Sequence, residues 1–269
     1  MELNVDGQPA FIYTGGKAYD ATLPTVAFIH GAQLDHGAWA LHTRWFAHHG
    51  FGVLAFDLPG HGRSGGAPLP SIEALADWVE LALEKVSPGG TAPTVSLVGH
   101  SMGSLTALEC AARHPARIAR LVMIGTAVPM PVSDALLDAA KHDEARAIAM
   151  INRWSHSARA TIGGYAVPGI WHFGAARRLM ERQKPGTLHN DLSACNAYSG
   201  GPAAAAQVKM PVLIVSGGRD AMTNPRAAAK FAALIPHAKS VTLAGTGHSI
   251  MAEQPDALLD ELRQFIVAP

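Results

Sequence analysis

The chain has 269 residues, 48% of them hydrophobic and 16% charged, apolar material enough for a substantial core in one large domain or two small ones. Its 21 Lys and Arg balance 21 Asp and Glu without any Lys/Arg run, so charge gives no reason to expect nucleic acid or an anionic membrane as partner. Met1 to Gly7 has neither a basic nor an apolar signal region, nothing elsewhere reaches spanning length, and Cys110 and Cys195 are the only cysteines; the expectation is a soluble, cytoplasmic protein with reduced, buried thiols.

In chain order, Leu3 to Val5 and Ala10 to Tyr13 are strand candidates joined through Gly7, as in an antiparallel hairpin at a sheet edge. Thr25-Val26-Ala27-Phe28-Ile29 is a continuous apolar run, the pattern of a central strand, and it ends in His30-Gly31-Ala32 before a helix carrying Trp45 and Phe46. Gly52 to Phe56 is the next strand, followed by the loop Asp57-Leu58-Pro59-Gly60-His61-Gly62-Arg63-Ser64. Ser71 to Val86 is an amphipathic helix with Ser71 as N-cap and Glu73 and Asp77 near its positive end.

Val98-Gly99-His100-Ser101-Met102-Gly103 is the stretch that points to chemistry. The β-branched and apolar run Thr94 to Val98 reads as a buried strand, and Leu105, Leu108, Ala111 and Ala112 recur at helical spacing until His114-Pro115. A strand turning straight into a helix puts Ser101 on a strained corner, and Gly99 and Gly103 leave out the side chains that would collide there. Ser101 then projects beside the N-terminus of a helix, whose unpaired N–H groups favour an oxyanion.

Ile118 to Ile124 is another strand, after which the strand–helix alternation lapses. Val128 to Gly201 has a helical pattern broken at Gly163-Gly164, Pro168-Gly169 and Pro185-Gly186, and it collects Trp154, Tyr165, Trp171 and several Met. The sheet resumes at Val212 to Ser216. Asp220 follows just past that strand's end, before Pro225 opens a helix at its first turn. Ser240 to Leu243 is the last strand candidate and runs into Gly245-Thr246-Gly247-His248-Ser249, where glycines give a histidine room to swing; a helix from Pro255 to Ile266 ends the pattern.

These motifs resemble the α/β-hydrolase superfamily, in the branch of small esterases, lactonases and cofactor-independent haloperoxidase-like proteins, over nearly the whole chain. The resemblance implies an α/β fold: a mostly parallel central sheet with helices on both faces, built from residues 1–127 and 202–269, and a helical cap, residues 128–201, inserted after strand six. It implies that Ser101, Asp220 and His248 are the catalytic triad, in the chain order of this superfamily. It implies further that the backbone N–H groups of Ala32 and Met102 form the oxyanion hole, and that the Asp57 to Ser64 loop is a family marker with architectural duty, His30 bracing its own loop. Trp154, Tyr165 and Trp171 of the cap are the candidates for the wall of an apolar acyl pocket.

The function expected is therefore a serine hydrolase cleaving carboxylic esters or lactones of small to medium acyl groups through an acyl-enzyme, with a small molecule as its partner and no cofactor or metal. A C–C bond hydrolase, a cofactor-free haloperoxidase or lyase on the same triad, and a small-molecule receptor with slow turnover remain open alternatives. An epoxide hydrolase or haloalkane dehalogenase of this fold needs an aspartate where Ser101 stands, and no His-Glu-X-X-His zinc motif occurs. Oligomeric state is not legible.

Overall fold

A computed structural model describes residues 1–87, 92–165 and 169–267, so Pro168, one of the helix-breaking positions, lies outside the described residues. Strands β1 (Glu2–Val5) and β2 (Gln8–Tyr13) pair antiparallel around a two-residue turn in which Asp6 and Gly7 both take positive φ, 50° and 75°. That is the hairpin geometry whose twist matches the strands. The chain then alternates through β3 (Thr25–Ile29), α1 (Ala40–His48), β4 (Gly52–Phe56), α2 (Ile72–Lys85), β5 (Val95–His100), α3 (Met102–Arg113) and β6 (Ile118–Ile124). Between β6 and β7 (Val212–Gly217) it leaves the sheet for α4 (Asp134–His142), α5 (Glu144–Ser155), α6 (Ala158–Thr161), α7 (His172–Glu181), α8 (Thr187–Ala197) and α9 (Gly201–Gln207). It closes with α10 (Pro225–Ala232), β8 (Lys239–Leu243), α11 (Ile250–Glu253) and α12 (Pro255–Val267).

Among the described residues the strands form one eight-stranded sheet in the order β1-β2-β4-β3-β5-β6-β7-β8. β1–β2 and β2–β4 are antiparallel and every other pair is parallel. Parallel strands covered on both faces read as continuous apolar runs, because both sets of side chains are buried. β3 illustrates this: Ala27 and Ile29 join the layer under α2 and α3, whereas Val26 and Phe28 join the layer under α1 and α12 with Trp39, Phe46, Leu258 and Leu262. Ser71 caps α2 as its sequence suggests, accepting from Ala74 N at 3.2 Å.

The inserted helices have an apolar core of their own, formed by Leu136, Ala147, Ile148, Ile151, Leu188 and Leu192 with their neighbours. Polar clamps tie them to the sheet. Asp191 of α8 accepts from Gln33 N at 2.9 Å and from His61 Nε2 at 2.8 Å, and Asp35 takes a bidentate grip from Arg182 (Nε to Oδ2 2.9 Å, Nη2 to Oδ1 2.7 Å). Both ring nitrogens of His61 face oxygen acceptors; burial works against its charge, but Asp191 beside it outweighs burial and raises its pKa. No helix among the described residues is long and apolar enough to cross a membrane.

Candidate active site

The corner between β5 and α3 is as tight as its glycines suggest. Ser101 has φ 53° and ψ −120°, a positive-φ conformation that costs a non-glycine residue and persists only where neighbours enforce it. A Cβ on Gly99 would collide with Gly103 O, and one on Gly103 would come within 2.5 Å of the carbonyl oxygens of Ile29 and His30. Ser101 N donates to Ile124 O at 2.9 Å, while Ser101 O receives Ser104 Oγ at 2.6 Å and Ser104 N at 2.8 Å. The main chain of Ser101 is thus held on both sides and its side chain faces the cavity between sheet and insert.

Asp220 and His248 arrive from the ends of β7 and β8. His248 Nδ1 lies 2.7 Å from Asp220 Oδ2, both residues being buried. Asp220 also accepts from Met222 N (2.8 Å), Thr223 N (2.7 Å) and Thr223 Oγ1 (2.6 Å). Burial opposes its charge, but His248 and these donors outweigh burial and hold its carboxyl below the usual carboxylate range. An ionised carboxylate has no proton to give, so Nδ1 must be the protonated ring nitrogen, leaving Nε2 of the neutral ring with its lone pair. His100 Nε2 donates to His248 O at 3.0 Å and supports the ring from behind at a centroid distance of 4.7 Å. Gly125, at φ 56°, admits the ring edge-on: a Cβ there would stand 3.1 Å from His248 Cε1 and Nδ1.

The His30-Gly31-Ala32 turn packs directly on the elbow, since a Cβ at Gly31 would sit 3.2 Å from Ser101 Cβ. Met102 is the first residue of α3, so its N–H is one of those a helix start leaves without an internal partner. His30 is committed elsewhere: Nδ1 donates to Gly31 O at 2.8 Å and Nε2 accepts from Leu58 N at 3.2 Å. Burial, with His61 nearby, pushes its pKa down to about 4, so it stays neutral as a brace.

Asp57 is likewise occupied, accepting from His36 N (2.8 Å), His36 Nδ1 (2.7 Å) and Arg63 N (2.8 Å). Burial opposes its charge, and these donors overcome burial and depress its pKa. A depressed carboxyl contributes stability that is present above its unfolded value, about 3.9, and lost as pH falls through the lower folded value. Melting temperatures followed from about pH 5 down to about pH 2 are therefore expected to fall less steeply for Asp57→Asn than for the native chain. Parallel curves would mean that Asp57 is not depressed.

The cavity has a volume of about 200 Å³. Gly31, Ala32, Ser101, Met222, Thr223 and His248 line it from the sheet side, and Met130, Leu136, Ile151, Trp154, His156 and Met180 from the insert. Of the three aromatic residues expected on its wall, the structure brings only Trp154 there. Tyr165 instead packs edge-on against His172 at a centroid distance of 4.6 Å, and burial pushes its hydroxyl pKa up to about 12. Trp171 precedes α7 and turns outward, 63% exposed, with Phe173 at 6.1 Å. Residue type marks both as apolar, but the direction each faces depends on how α7 is set down, which no local pattern encodes.

Three further residues at the site were not singled out by the sequence: Thr223, His100 and Gly125. Thr223 carried one legible signal, a hydroxyl three residues after a loop aspartate ahead of a helix. The thiols offer no nucleophile, Cys110 and Cys195 being buried and burial pushing Cys110 up to about 12. One trio among the described residues, Asp35, His36 and Asp57, is close enough to share a cation, but Arg182 and His36 already engage its carboxylates.

The sequence is 26% identical over 265 residues to an sn-1-specific diacylglycerol lipase of Mus musculus, covering 92% of this chain and 82% of that protein. It is 28% identical over 255 residues to a pimeloyl-[acyl-carrier protein] methyl ester esterase of Aromatoleum aromaticum, covering 87% and 94%. Its fold superposes on the enol-lactonase of Burkholderia xenovorans with a TM-score of 0.86 at 22% identity, covering 99% of this chain and all of that one. Residues 26–261, from β3 into α12, match the sequence profile of the alpha/beta hydrolase family. With that match spanning the parallel strands, the elbow and the insert together, the chain belongs to the alpha/beta hydrolase family and is a hydrolase built on its fold.

Proposed function

We propose that the protein is a serine hydrolase that cleaves carboxylic esters or lactones of small to medium acyl groups. The observation that carries this reading is the Asp220–His248 hydrogen bond, which fixes the ring's proton on Nδ1 in the cavity that Ser101 enters from its strained corner. His248 Nε2 takes the proton of Ser101 Oγ as that oxygen bonds to the acyl carbon. Asp220 offsets the charge that develops on the ring. The N–H groups of Ala32 and Met102 receive the tetrahedral oxyanion, acting through the main chain so that their side chains need not be polar. Nε2–H then protonates the leaving alkoxide. A water repeats the attack on the acyl-enzyme and returns the proton to Ser101 Oγ as the acid departs.

The names of the relatives, lipase, methyl ester esterase and enol-lactonase, support an acyl ester or lactone as the substrate class. The helices inserted between β6 and β7 serve in this reading as a cap over the acyl group. The reading is tested by labelling the native chain with a fluorophosphonate, locating the label by peptide mass spectrometry, and measuring turnover on esters and lactones graded by acyl length. A label on the peptide carrying Ser101 and many turnovers per chain are expected; labelling elsewhere, or a single slow turnover, would discard it.

The wall of the cavity is mostly aliphatic and thioether, so it rewards acyl length by about 1 kcal/mol per methylene and discriminates weakly between neighbours. Trp154→Ala is expected to move the preference toward bulkier acyl chains while the acetyl ester rate stays within roughly tenfold, because the reacting groups are untouched. Trp171→Ala should leave the acyl-length profile unchanged. A shifted profile in the Trp171 variant alone would relocate the acyl wall to the outer face of α7.

A further inference from the structure

The loop that carries His248 is held on both sides by one short piece of the insert. On one side, Ser249 N donates to Ser155 O at 2.8 Å. On the other, Gly247 N donates to Glu253 Oε1 at 3.0 Å, and the same oxygen receives Ser157 N at 3.1 Å. Glu253 Oε2 receives Ser157 Oγ at 2.5 Å. Glu253 is buried at the end of α11, and Ser157 lies 96 positions before it in the chain. The junction has no slack: a Cβ on Gly247 would stand 2.7 Å from Glu253 Oε1, 2.7 Å from Ser155 O and 2.8 Å from Ser157 N.

The same piece of insert is part of the cavity wall. Trp154, Ser155 and His156 all line the cavity, and Ser155 Oγ also meets Met222 Sδ at 3.0 Å, two residues after Asp220. Glu253 gathers donors from two segments that share no other side-chain acceptor among the described residues, even though burial pushes its carboxyl above the usual carboxylate range. Removing it would leave the buried N–H groups of Gly247 and Ser157 without a partner, which native structures rarely tolerate.

We infer that Glu253 is a positioning residue which, through Gly247 and Ser157, sets His248 and the Trp154–His156 wall in fixed register, so that the ring and the acyl wall move as one piece. Its kinetic consequences rest on the reading of Ser101 and His248 given above; its geometric content does not. A displacement of about 1 Å between ring and nucleophile costs on the order of 100-fold in rate, so the carboxylate acts on catalysis without touching substrate.

The test uses the full chain as Glu253→Ala, Glu253→Gln and Ser157→Ala variants, with kcat and KM measured on p-nitrophenyl acetate, butyrate and octanoate. Alongside them, proton NMR follows the downfield Nδ1–H resonance of His248 in its hydrogen bond to Asp220. Folded Glu253→Ala is expected to lose about 10- to 100-fold in kcat on every ester, to change its acyl-length profile, and to shift or broaden the resonance. Glu253→Gln should stay within about threefold of the native chain, because its carbonyl accepts both N–H groups while its amide donates to Ser157 Oγ. Ser157→Ala should move all readouts in the direction of Glu253→Ala by a smaller amount.

A folded Glu253→Ala protein with native kcat, profile and resonance would overturn the inference. If that variant fails to fold, the same three native values in Ser157→Ala overturn it. A native chain that hydrolyses none of the esters would remove the serine-hydrolase reading instead, while the resonance still decides the role of Glu253.

Discussion

Ser101→Ala is expected to eliminate both ester hydrolysis and covalent capture by serine-reactive phosphonates, with a loss in kcat on the order of 10⁶-fold if the serine, ring and carboxylate act as one unit. The size of the effect follows from the corner that holds this residue. Its main chain is fixed by Ile124 O, Ser104 N and Ser104 Oγ, and its φ of 53° points the side chain away from β5 and α3 into the cavity. Alanine accepts the same backbone at similar cost, so the variant should fold and lose only Oγ. Of the other serines lining the cavity, Ser155 Oγ donates to Ile151 O at 2.7 Å, Ser133 Oγ accepts from Leu136 N at 3.4 Å, and Ser249 follows His248 directly in the chain. Intact protein mass after phosphonate treatment, with steady-state rates on a butyrate ester, checks the expectation. Labelling that survives in the variant would falsify the assignment of Ser101.

Asp220→Asn should lower kcat by about 10⁴-fold with the fold intact, the loss known when a triad carboxylate becomes an amide. The hydrogen bonds specify why. Met222 N and Thr223 N both donate to Oδ1, so the carbonyl oxygen of an asparagine must occupy that position. Its NH₂ then replaces Oδ2 beside His248 Nδ1, where a donor meets a donor. The ring has to move its proton to Nε2, and in that tautomer it cannot accept from Ser101. Thr223 Oγ1 can turn to accept from the new amide, so no buried polar group is stranded and stability should change little. Asp57→Asn, by contrast, removes an acceptor of His36 and Arg63 remote from the reacting atoms and should chiefly lower stability. Rates and melting temperatures of the two variants measured together settle the matter; the reverse ranking would transfer the acid's role to Asp57.

Sequence alone determined the elements whose cause is local. The runs from Thr25 to Ile29 and Val212 to Val215 are buried on both faces of the sheet, and a doubly covered strand has to be apolar throughout. The elbow was legible because Gly99, Ser101 and Gly103 answer a steric demand made within a few residues, whereas Asp220 and His248 were legible only as loop residues just past strand ends, their partnership being what the family resemblance implied. The tertiary structure decided what depends on distant segments meeting. Trp154, Tyr165 and Trp171 have similar residue character, yet only the way the inserted helices rest on the sheet turns Trp154 to the cavity and leaves Trp171 63% exposed. Thr223 beside Asp220, Gly125 under the edge of His248, and Glu253 between Gly247 and Ser157 gain their places from contacts across the fold. A side chain's chemistry is written in its own residue, but the partner that uses it is brought there by chain packing, and that information is spread over the whole sequence.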